Sequence, residues 1–382
     1  MNILTVIGNG FDLSVGAETS YSAFFSSDYY KNKRERYRIW IDDVNRLNQG
    51  LGIWSRDGLE ISCWDLVFCM ELDKDKRLYG DVYWCDVEQV IHDTLTESSK
   101  ESFSWREVFR VMHEFYTAND DRADLRKFFS GCSKEVIAMC WYLHEKYDEW
   151  QDSFSSLEVF YQKIHEELKE FEQAFGLYIC EQTEKDTFQD NARDRLSLLL
   201  YDSVMTQAND EDIIYLDSFN YTQYSNSIAK SIRHLNGDYN HPIFGIEITE
   251  GEIKNFPEIQ RFTKTARRLY QDVFYHSNEK ERYPNNIEKA VVFGHSLNRM
   301  DYDYFVYLFN LLKFNTFDET KMGRIQFAYS IYDSTKAEDI KNSLVESVYS
   351  LLNYYEELVS GRNRNILINM LRWNNKIELK SI

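Results

Sequence analysis

The segment Ile3-Leu4-Thr5-Val6-Ile7-Gly8-Asn9-Gly10 decides the fold that we expect for this chain. Residues 3–7 form a short apolar run with β-branched members, which is typical of a buried strand in a parallel sheet. The two glycines that follow favour a tight turn at the carboxyl end of that strand. The start of the chain therefore predicts an α/β protein, because parallel strands are covered by helices on both faces.

Further strand-like segments follow from about residue 211, and helical segments alternate with them. The predicted strands cover residues 212–217, 289–294, 324–329 and 376–379. Helical spacing is found at residues 301–312 and 337–358. This alternation predicts a Rossmann-like, doubly wound parallel sheet flanked by helices.

A strand pair is also expected around Asn236-Gly237. These two residues favour a hairpin turn, and apolar segments lie on either side of them at 232–235 and 242–248. We therefore expect the two segments to pair with each other.

The long segment between these two regions has almost no strand pattern. Helical spacing is present at residues 102–116, 134–150 and 156–180, and in the last of these the apolar residues lie on one helix face. We therefore predict a large all-helical insertion or cap over residues 31–205. The sheet domain would then consist of residues 1–30 together with residues 206–382.

The composition excludes several classes of partner. The chain has 382 residues and a net charge of −19, which opposes binding to the phosphate backbone of a nucleic acid. No apolar run approaches the roughly 20 residues that a membrane helix needs. None of the six cysteines forms a Cys-x-x-Cys pair, so we expect no cysteine zinc site. Met1-Asn2 leads directly into the first strand, so we expect no signal peptide and a cytoplasmic location.

The glycine turn after the first strand is the first candidate binding segment. Gly8-Asn9-Gly10-Phe11-Asp12 follows the carboxyl end of a strand, where open α/β sheets bind ligands. Glycines allow the backbone to approach a pyrophosphate and to point N–H groups at it. The third glycine of the dinucleotide fingerprint is absent, so the segment fits either a phosphate cradle or only a tight turn.

Two more polar loops are expected at the same edge of the sheet. Asn220 and Thr222 follow the strand at 212–217, and Gly294-His295-Ser296 follows the strand at 289–294. A carboxamide in this position can bind a ribose hydroxyl or orient a water, although Asn220 would equally suit a helix cap. Because the carboxyl ends of parallel strands meet at one edge, we expect the three loops to line one crevice.

Two further groups are candidates for chemistry. His234 and Asn236 would lie on one side of a strand because its side chains alternate. His234 could act as a base there, or be a structural histidine. Trp84, Asp86 and Glu88 open a helix in the insertion and could extend over the crevice, but the two acids also suit a helix N-terminus.

Taken together, these motifs resemble the AbiH family of bacterial abortive-infection proteins. The resemblance covers nearly the whole chain. It consists, in order, of Gly8-Asn9-Gly10-Phe11-Asp12-Leu13, Thr19-Ser20-Tyr21, the Trp84, Asp86 and Glu88 group, Phe219-Asn220-Tyr221-Thr222, Ile243-Phe244-Gly245-Ile246, and Gly294-His295-Ser296-Leu297 through Asp301 to Phe305.

The order of motifs is also similar, more distantly, to the sirtuin-like NAD-binding fold. That resemblance implies that Gly8, Asn9 and Gly10 hold a pyrophosphate, that Asn220 meets the nicotinamide ribose, and that Gly294 and Ser296 close the site. Two positions depart from the pattern: Thr222 stands where an aspartate is expected, and Asn236-Gly237 stands in place of His-Gly. His234, two residues earlier, would then be the base.

The resemblance implies an effector that stops a phage by destroying NAD, and three hypotheses follow. The first is an NAD glycohydrolase with Asn220, His234 and Asn236 as catalytic residues and no metal. The second is a nucleotide-sensing module that controls assembly without hydrolysis. The third is a hydrolase or nuclease in which Asp12, Asp86 and Glu88 bind a divalent metal. We expect a phage or host protein as the trigger, and a homo-oligomer.

Overall fold

The computed structural model describes ten segments that together make up most of the chain. They are 1–51, 61–79, 86–96, 103–118, 124–200, 213–224, 229–274, 286–331, 334–361 and 365–382. No helix among them is both long enough and apolar enough to cross a membrane.

The strands of the described residues form a single parallel sheet. They are β1 Asn2–Ile7, β2 Ile213–Ser218, β3 Ser231–His234, β4 Lys289–Phe293, β5 Arg324–Tyr329 and β6 Ile377–Ser381. Their order across the sheet is β3-β2-β1-β4-β5-β6. This is the order of a Rossmann fold, and its direction reverses between β1 and β4. The predicted Rossmann-like fold class is confirmed, and β1, β2, β4, β5 and β6 agree closely with the strands predicted from the sequence.

The helices of the described residues occupy most of the remaining chain. In chain order they are α1 Asn9–Ser14, α2 Tyr21–Ser26, α3 Asp28–Asn48, α4 Cys63–Tyr79, α5 Val87–Thr96, α6 Trp105–Thr117, α7 Lys134–Glu145, α8 Tyr147–Trp150, α9 Leu157–Thr183, α10 Asp186–Leu200, α11 Glu250–Asn255, α12 Lys264–Phe274, α13 Tyr302–Leu311, α14 Ala337–Ser360 and α15 Ile366–Trp373. Short 3-10 helices occur between several of them.

The chain divides into two compact units. The sheet unit comprises Met1–Thr19, Ile179–Asn240 and Tyr275–Ile382, and the helical unit comprises Ser20–Tyr178 and His241–Phe274. The sequence analysis places the boundaries instead near residues 30 and 205. In the structure α10 is part of the sheet unit, and α11 and α12 are part of the helical unit.

Each face of the sheet packs against helices of the sheet unit. On one face, Leu4 and Val6 of β1 lie in a core with buried residues of α13, α14 and α15. On the other face, Ile7 packs with Phe11 of α1 and with apolar residues of α10. Neighbouring residues of β1 thus point to opposite cores, as the period of two in a strand requires.

The helical unit is built around aromatic side chains. Phe171 of α9 contacts the rings of Phe24, Phe25 and Phe68. Such contacts explain the helical spacing of apolar residues at 156–180, which becomes the buried side of α9. The predicted helix at 134–150 is divided into α7 and α8.

The predicted strand pair around Asn236-Gly237 is wrong. Residues 232–235 belong mainly to β3, which pairs in parallel with β2, whereas 242–248 form no strand and contribute only an isolated bridge from Ile246 to Thr263. Side chains satisfy the backbone there instead: Phe244 N donates to Glu172 Oε1 at 2.6 Å, and Phe244 O accepts from Arg267 Nη1 at 2.6 Å. Asn236-Gly237 does form a turn, as predicted, but the chain leaves the sheet after it and forms no second strand at 242–248.

Candidate functional site

The loops that follow β1 and β4 are joined by their backbones at the point where the strand order reverses. Gly8 N donates to Phe293 O at 3.0 Å, and Gly10 N donates to Gly294 O at 2.8 Å. Gly294 has a φ of +70°, and a Cβ on it would lie 2.7 Å from the carbonyl carbon of Gly10. Only glycine allows this approach, so the packing of one loop on the other accounts for the glycines on both sides.

This packing leaves fewer N–H groups for a ligand than the sequence analysis expects. The N–H groups of Gly8 and Gly10 donate to carbonyls of the β4 loop, and Phe11 N donates to Gly8 O at 2.8 Å. Asn9 is exposed, and its side-chain oxygen accepts a hydrogen bond from Thr19 Oγ1 at 2.7 Å. The phosphate-binding role of Gly8, Asn9, Gly10 and Phe11 stays a prediction.

Asn220 connects the loop after β2 to the loop after β1. Its Nδ2 donates to Gly8 O at 3.1 Å and to Tyr224 Oη at 2.7 Å. Tyr224 in turn donates to Asp12 Oδ1 at 2.5 Å, and Thr222 Oγ1 donates to Asp12 Oδ2 at 2.6 Å. The structure therefore brings together two of the three loops that the sequence analysis assigned to one crevice.

Asp12 is the acceptor at the centre of this network. It is 1% exposed, and burial raises the pKa of its carboxyl to about 6, although its hydrogen bonds to Thr222 and Tyr224 oppose the rise. A carboxylate that accepts hydroxyl donors on both oxygens holds those donors in one direction. Asp12 is therefore a buried residue that orients the hydroxyl groups of Thr222 and Tyr224.

His234 lies beside Asn220. It ends β3 directly across from Ser218 of β2, and it forms a hydrogen bond with the Asn220 backbone. Burial lowers the pKa of His234, so the imidazole is neutral at pH 7, and its Nδ1 is enclosed without a hydrogen-bond partner among the described residues. Asn236 is 8% exposed, and its Nδ2 donates to Phe219 O at 3.2 Å. A neutral histidine, bonded to the Asn220 backbone, and the oriented carboxamide of Asn236 thus lie at one edge of the sheet.

The third predicted loop, already joined to the loop after β1 by its backbone, packs against the loop after β2 through His295. Its ring lies 4.2 Å from the ring of Phe219, its Nδ1 accepts from Leu297 N at 2.8 Å, and its Nε2 lies 3.5 Å from Asp301 Oδ2. The side chain of His295 is only 5% exposed, which suits a structural role. Ser296 beside it is exposed.

A second buried carboxylate near this edge was missed by the sequence analysis. Asp217 of β2 accepts two hydrogen bonds of 2.9 Å from Arg233 and one of 2.6 Å from Tyr304. Burial raises the pKa of Asp217 to about 6, while Arg233 opposes the rise. An aspartate in the middle of a predicted buried strand was the available signal, since such a position needs a partner on the next strand. Tyr224 was also missed, although it stands four residues after Asn220.

The predicted group in the insertion is only partly described. Trp84 lies outside the described residues. Asp86 Oδ1 accepts from Gln89 N at 3.1 Å, the bond expected of a helix cap, and Glu88 Oε2 lies 2.9 Å from Lys264 Nζ. Both acids belong to the helical unit, whereas Asn220, His234 and Asp12 belong to the sheet unit.

The residues at the sheet edge supply acceptors and a base more readily than a metal site. A neutral imidazole can accept a proton, and a carboxamide oxygen can bind a hydroxyl or water donor. No group of three or more His, Cys, Asp or Glu side chains in the described part of the chain is arranged to hold a metal ion. The metal-dependent alternative therefore has no donor set in that part of the chain.

One family model matches this chain. Its description is "Bacteriophage abortive infection AbiH", and the match covers residues 4–321. That range includes β1 to β4 and ends before β5, so it contains every loop of the candidate site. No curated protein and no solved structure matches the chain.

Proposed function

The chain belongs to the bacteriophage abortive infection family AbiH, and from this premise we propose that its sheet unit binds NAD and hydrolyses the nicotinamide–ribose bond. Loss of NAD would stop the host and with it the phage. A phage or host protein would trigger the activity, with a homo-oligomer as the active form.

One observation carries the proposal: a neutral His234 with an unpartnered Nδ1 is hydrogen-bonded to the backbone of Asn220, whose carboxamide is held in one orientation. An enclosed nitrogen without a hydrogen bond costs free energy, and a catalytic role is one of the explanations for such a group in a folded protein. Asn236 joins the same edge through its bond to Phe219 O. The arrangement contains an acceptor for a hydroxyl and an acceptor for a proton.

The reaction consumes one water. The water oxygen forms a bond to the ribose C1′ while the C1′–N bond breaks, and the bonding electron pair stays on nicotinamide, which leaves as a neutral ring. His234 accepts the proton that the water loses, and the products are ADP-ribose, nicotinamide and H⁺. Asn220 Oδ1 would accept a hydrogen bond from a ribose hydroxyl or from the attacking water.

The departures from the sirtuin-like pattern can be compared with the geometry. Position 222 lacks a carboxylate, but Thr222 Oγ1 donates to Asp12, so a carboxylate from the first loop lies beside this position. The glycines remain candidates for the pyrophosphate, with Asn9 the exposed member of the turn, and Gly294 and Ser296 for the adenosine side.

The experiment is incubation of the purified chain with NAD, followed by chromatography of nicotinamide and ADP-ribose. Removal of a general base or an orienting group slows an enzyme by about 10²–10⁴-fold. We expect a loss in this range for His234→Ala and for Asn220→Ala. His165→Ala is the matched control, because His165 is also a neutral histidine with an unpartnered ring nitrogen but lies in the helical unit.

Two results would count against this assignment. Undiminished release of nicotinamide by both variants would remove His234 and Asn220 from the site. No release by the wild-type chain, together with no NAD binding in calorimetry at millimolar concentration, would remove NAD itself.

A nucleotide sensor that does not hydrolyse its ligand is the second candidate. The observation in its favour is Asp12, the carboxylate closest to Asn220, whose two oxygens are both occupied by internal hydroxyl donors. Asp12 therefore stabilises the loops and does not face a substrate. Binding of NAD or ADP-ribose without turnover, unchanged when a phage-infected extract is added, would favour the sensor.

A further inference from the structure

The amide group of Asn220 can adopt only one of its two orientations. Gly8 O is a carbonyl and only accepts, so the group that lies 3.1 Å from it must be the amide nitrogen. The second hydrogen of the same nitrogen goes to Tyr224 Oη at 2.7 Å. Rotation of the amide by 180° would place an oxygen against the Gly8 carbonyl and lose both bonds.

Tyr224 can accept from Asn220 only if its own hydrogen is given elsewhere. That hydrogen goes to Asp12 Oδ1 at 2.5 Å, and an ionised carboxylate cannot return a donor. Thr222 donates to the other oxygen of Asp12 at 2.6 Å and so holds the carboxylate in place. The chain of donors therefore runs from Asn220 through Tyr224 to Asp12 in a single direction.

The oxygen of Asn220 is left on the open side of this network. Asn220 Oδ1 accepts no hydrogen bond from a described residue, and it is not among the fully enclosed polar atoms that lack a partner. It is therefore not fully enclosed, although Asn220 as a whole is 4% exposed.

We infer that Asp12, Thr222 and Tyr224 are positioning residues that present Asn220 Oδ1 as a fixed acceptor to a hydroxyl donor of the substrate, either a ribose hydroxyl or the attacking water. This inference rests on the proposed function, and it assigns a task to Tyr224, to which no motif in the sequence points. An acceptor that is already oriented needs no rearrangement when the reaction begins, which is how preorganised polar groups accelerate reactions.

The main test is Tyr224→Phe in the full-length chain. The change keeps the ring and removes the hydroxyl that receives the Asn220 hydrogen. We expect kcat for nicotinamide release to fall at least tenfold and KM to stay within twofold. Tyr304→Phe is the matched control: Tyr304 is also buried and its hydroxyl also donates to a buried aspartate, but that aspartate is Asp217 and not Asp12.

Thr222 offers an isosteric pair in case Tyr224→Phe does not fold. Thr222→Val removes the hydroxyl with little change in shape, and Thr222→Ser keeps it. We expect Thr222→Val to lower kcat and Thr222→Ser to restore most of it. A kcat within twofold of wild type for both Tyr224→Phe and Thr222→Val would overturn the inference, as would a loss of equal size in Tyr304→Phe.

A second measurement separates failure of this inference from failure of the proposed reaction. The side-chain amide protons of Asn220 can be observed by NMR in protein labelled with ¹⁵N-asparagine and assigned with Asn220→Ala. If the hydrogen bonds from Asn220 through Tyr224 to Asp12 hold the amide in place, its protons exchange with water at least tenfold more slowly in wild type and in Tyr304→Phe than in Tyr224→Phe. This difference is expected even if no NAD is hydrolysed. Equal exchange rates in all three proteins would overturn the inference that Tyr224 and Asp12 position Asn220, whether or not the wild type is active.

Discussion

The contact between the loops after β1 and β4 predicts that Gly294→Ala is one of the more damaging single-methyl additions in the sheet unit. Two effects add at this position. The φ of +70° is unfavourable for alanine, and the new Cβ would overlap the nitrogen of Phe11 and lie 2.7 Å from the carbonyl carbon of Gly10. Both neighbours are backbone atoms, which cannot turn away as a flexible side chain can.

The size of the effect follows from comparison with two control glycines. Gly16 and Gly361 have φ values of +84° and +66°, and a Cβ on either would meet nothing within 4 Å. Alanine there should cost about 1 kcal/mol, from the left-handed backbone alone. Gly294→Ala should cost about 1–3 kcal/mol more, the usual range for overpacking a well-packed interior.

Hydrogen exchange followed by mass spectrometry measures this difference in the sheet unit alone. An added cost of about 2 kcal/mol should raise the opening constant of peptides that cover β1 and β4 by roughly 30-fold over the value in the control variants. Equal protection of these peptides in Gly294→Ala and Gly361→Ala would refute the reasoning, because it would show that the two loops separate at no cost.

Three further predictions concern buried charge and are checked by urea unfolding at several pH values. The pKa of Asp217 is raised from 3.8 to about 6 in the folded state, so between these pH values the folded state binds more protons than the unfolded state. The free energy of unfolding should therefore fall as pH rises from 4 to 6. Asp217→Asn should remove this contribution. The pKa of His165 is lowered from 6.5 to about 3 in the folded state, so between these pH values the unfolded state binds more protons than the folded state. The free energy of unfolding should therefore fall as pH decreases from 6.5 to 3. His165→Phe should make that fall smaller. Arg267→Leu leaves Glu172 buried without the two hydrogen bonds and the positive charge of Arg267, and should cost about 3–5 kcal/mol, whereas Arg267→Leu combined with Glu172→Leu should cost less. An unchanged pH slope in either single variant, or a double variant no more stable than Arg267→Leu, would contradict the corresponding prediction.

The strands could be predicted because each is recognisable from its own sequence, without knowledge of the strands that pair with it. Residues 3–7, 289–293 and 324–329 are apolar runs of strand length, and a strand buried on both faces leaves no other pattern. The order of the strands across the sheet was not predicted, because the right-handed crossover rule fixes the hand of a connection and not which strands are neighbours.

The strand pair at 242–248 failed because its partner is not local. Residues 242–248 are apolar, but the hydrogen bonds of Phe244 go to Glu172 and Arg267, which are far away in the sequence. A pattern of apolar residues predicts that a segment is buried, but it does not predict which groups form hydrogen bonds with its backbone N–H and C=O groups. A tertiary ion pair therefore overrides the hairpin signal of Asn236-Gly237.

The candidate site was predicted at the level of loops and missed at the level of hydrogen bonds. Strand-end placement was sufficient to group Gly8, Asn220 and Gly294, and contacts between their loops are observed. The network beneath them, in which Tyr224 connects Asn220 to Asp12, depends on side chains 212 residues apart. No spacing rule covers such a distance, so only a structure could reveal it.

The position of β1 in the sheet has a consequence for how the protein is made. β1 is synthesised well before its two neighbours, β2 and β4, which begin at Ile213 and Lys289. At about 5–20 residues per second, synthesis of the segment from Ile7 to Phe293 takes roughly 15–60 s, and until it ends at least one edge of this apolar strand has no partner. An incomplete chain that ends before Gly294 also cannot close the glycine loop. Assembly of the candidate site is therefore delayed until most of the chain has been synthesised, and prematurely terminated products should lack it.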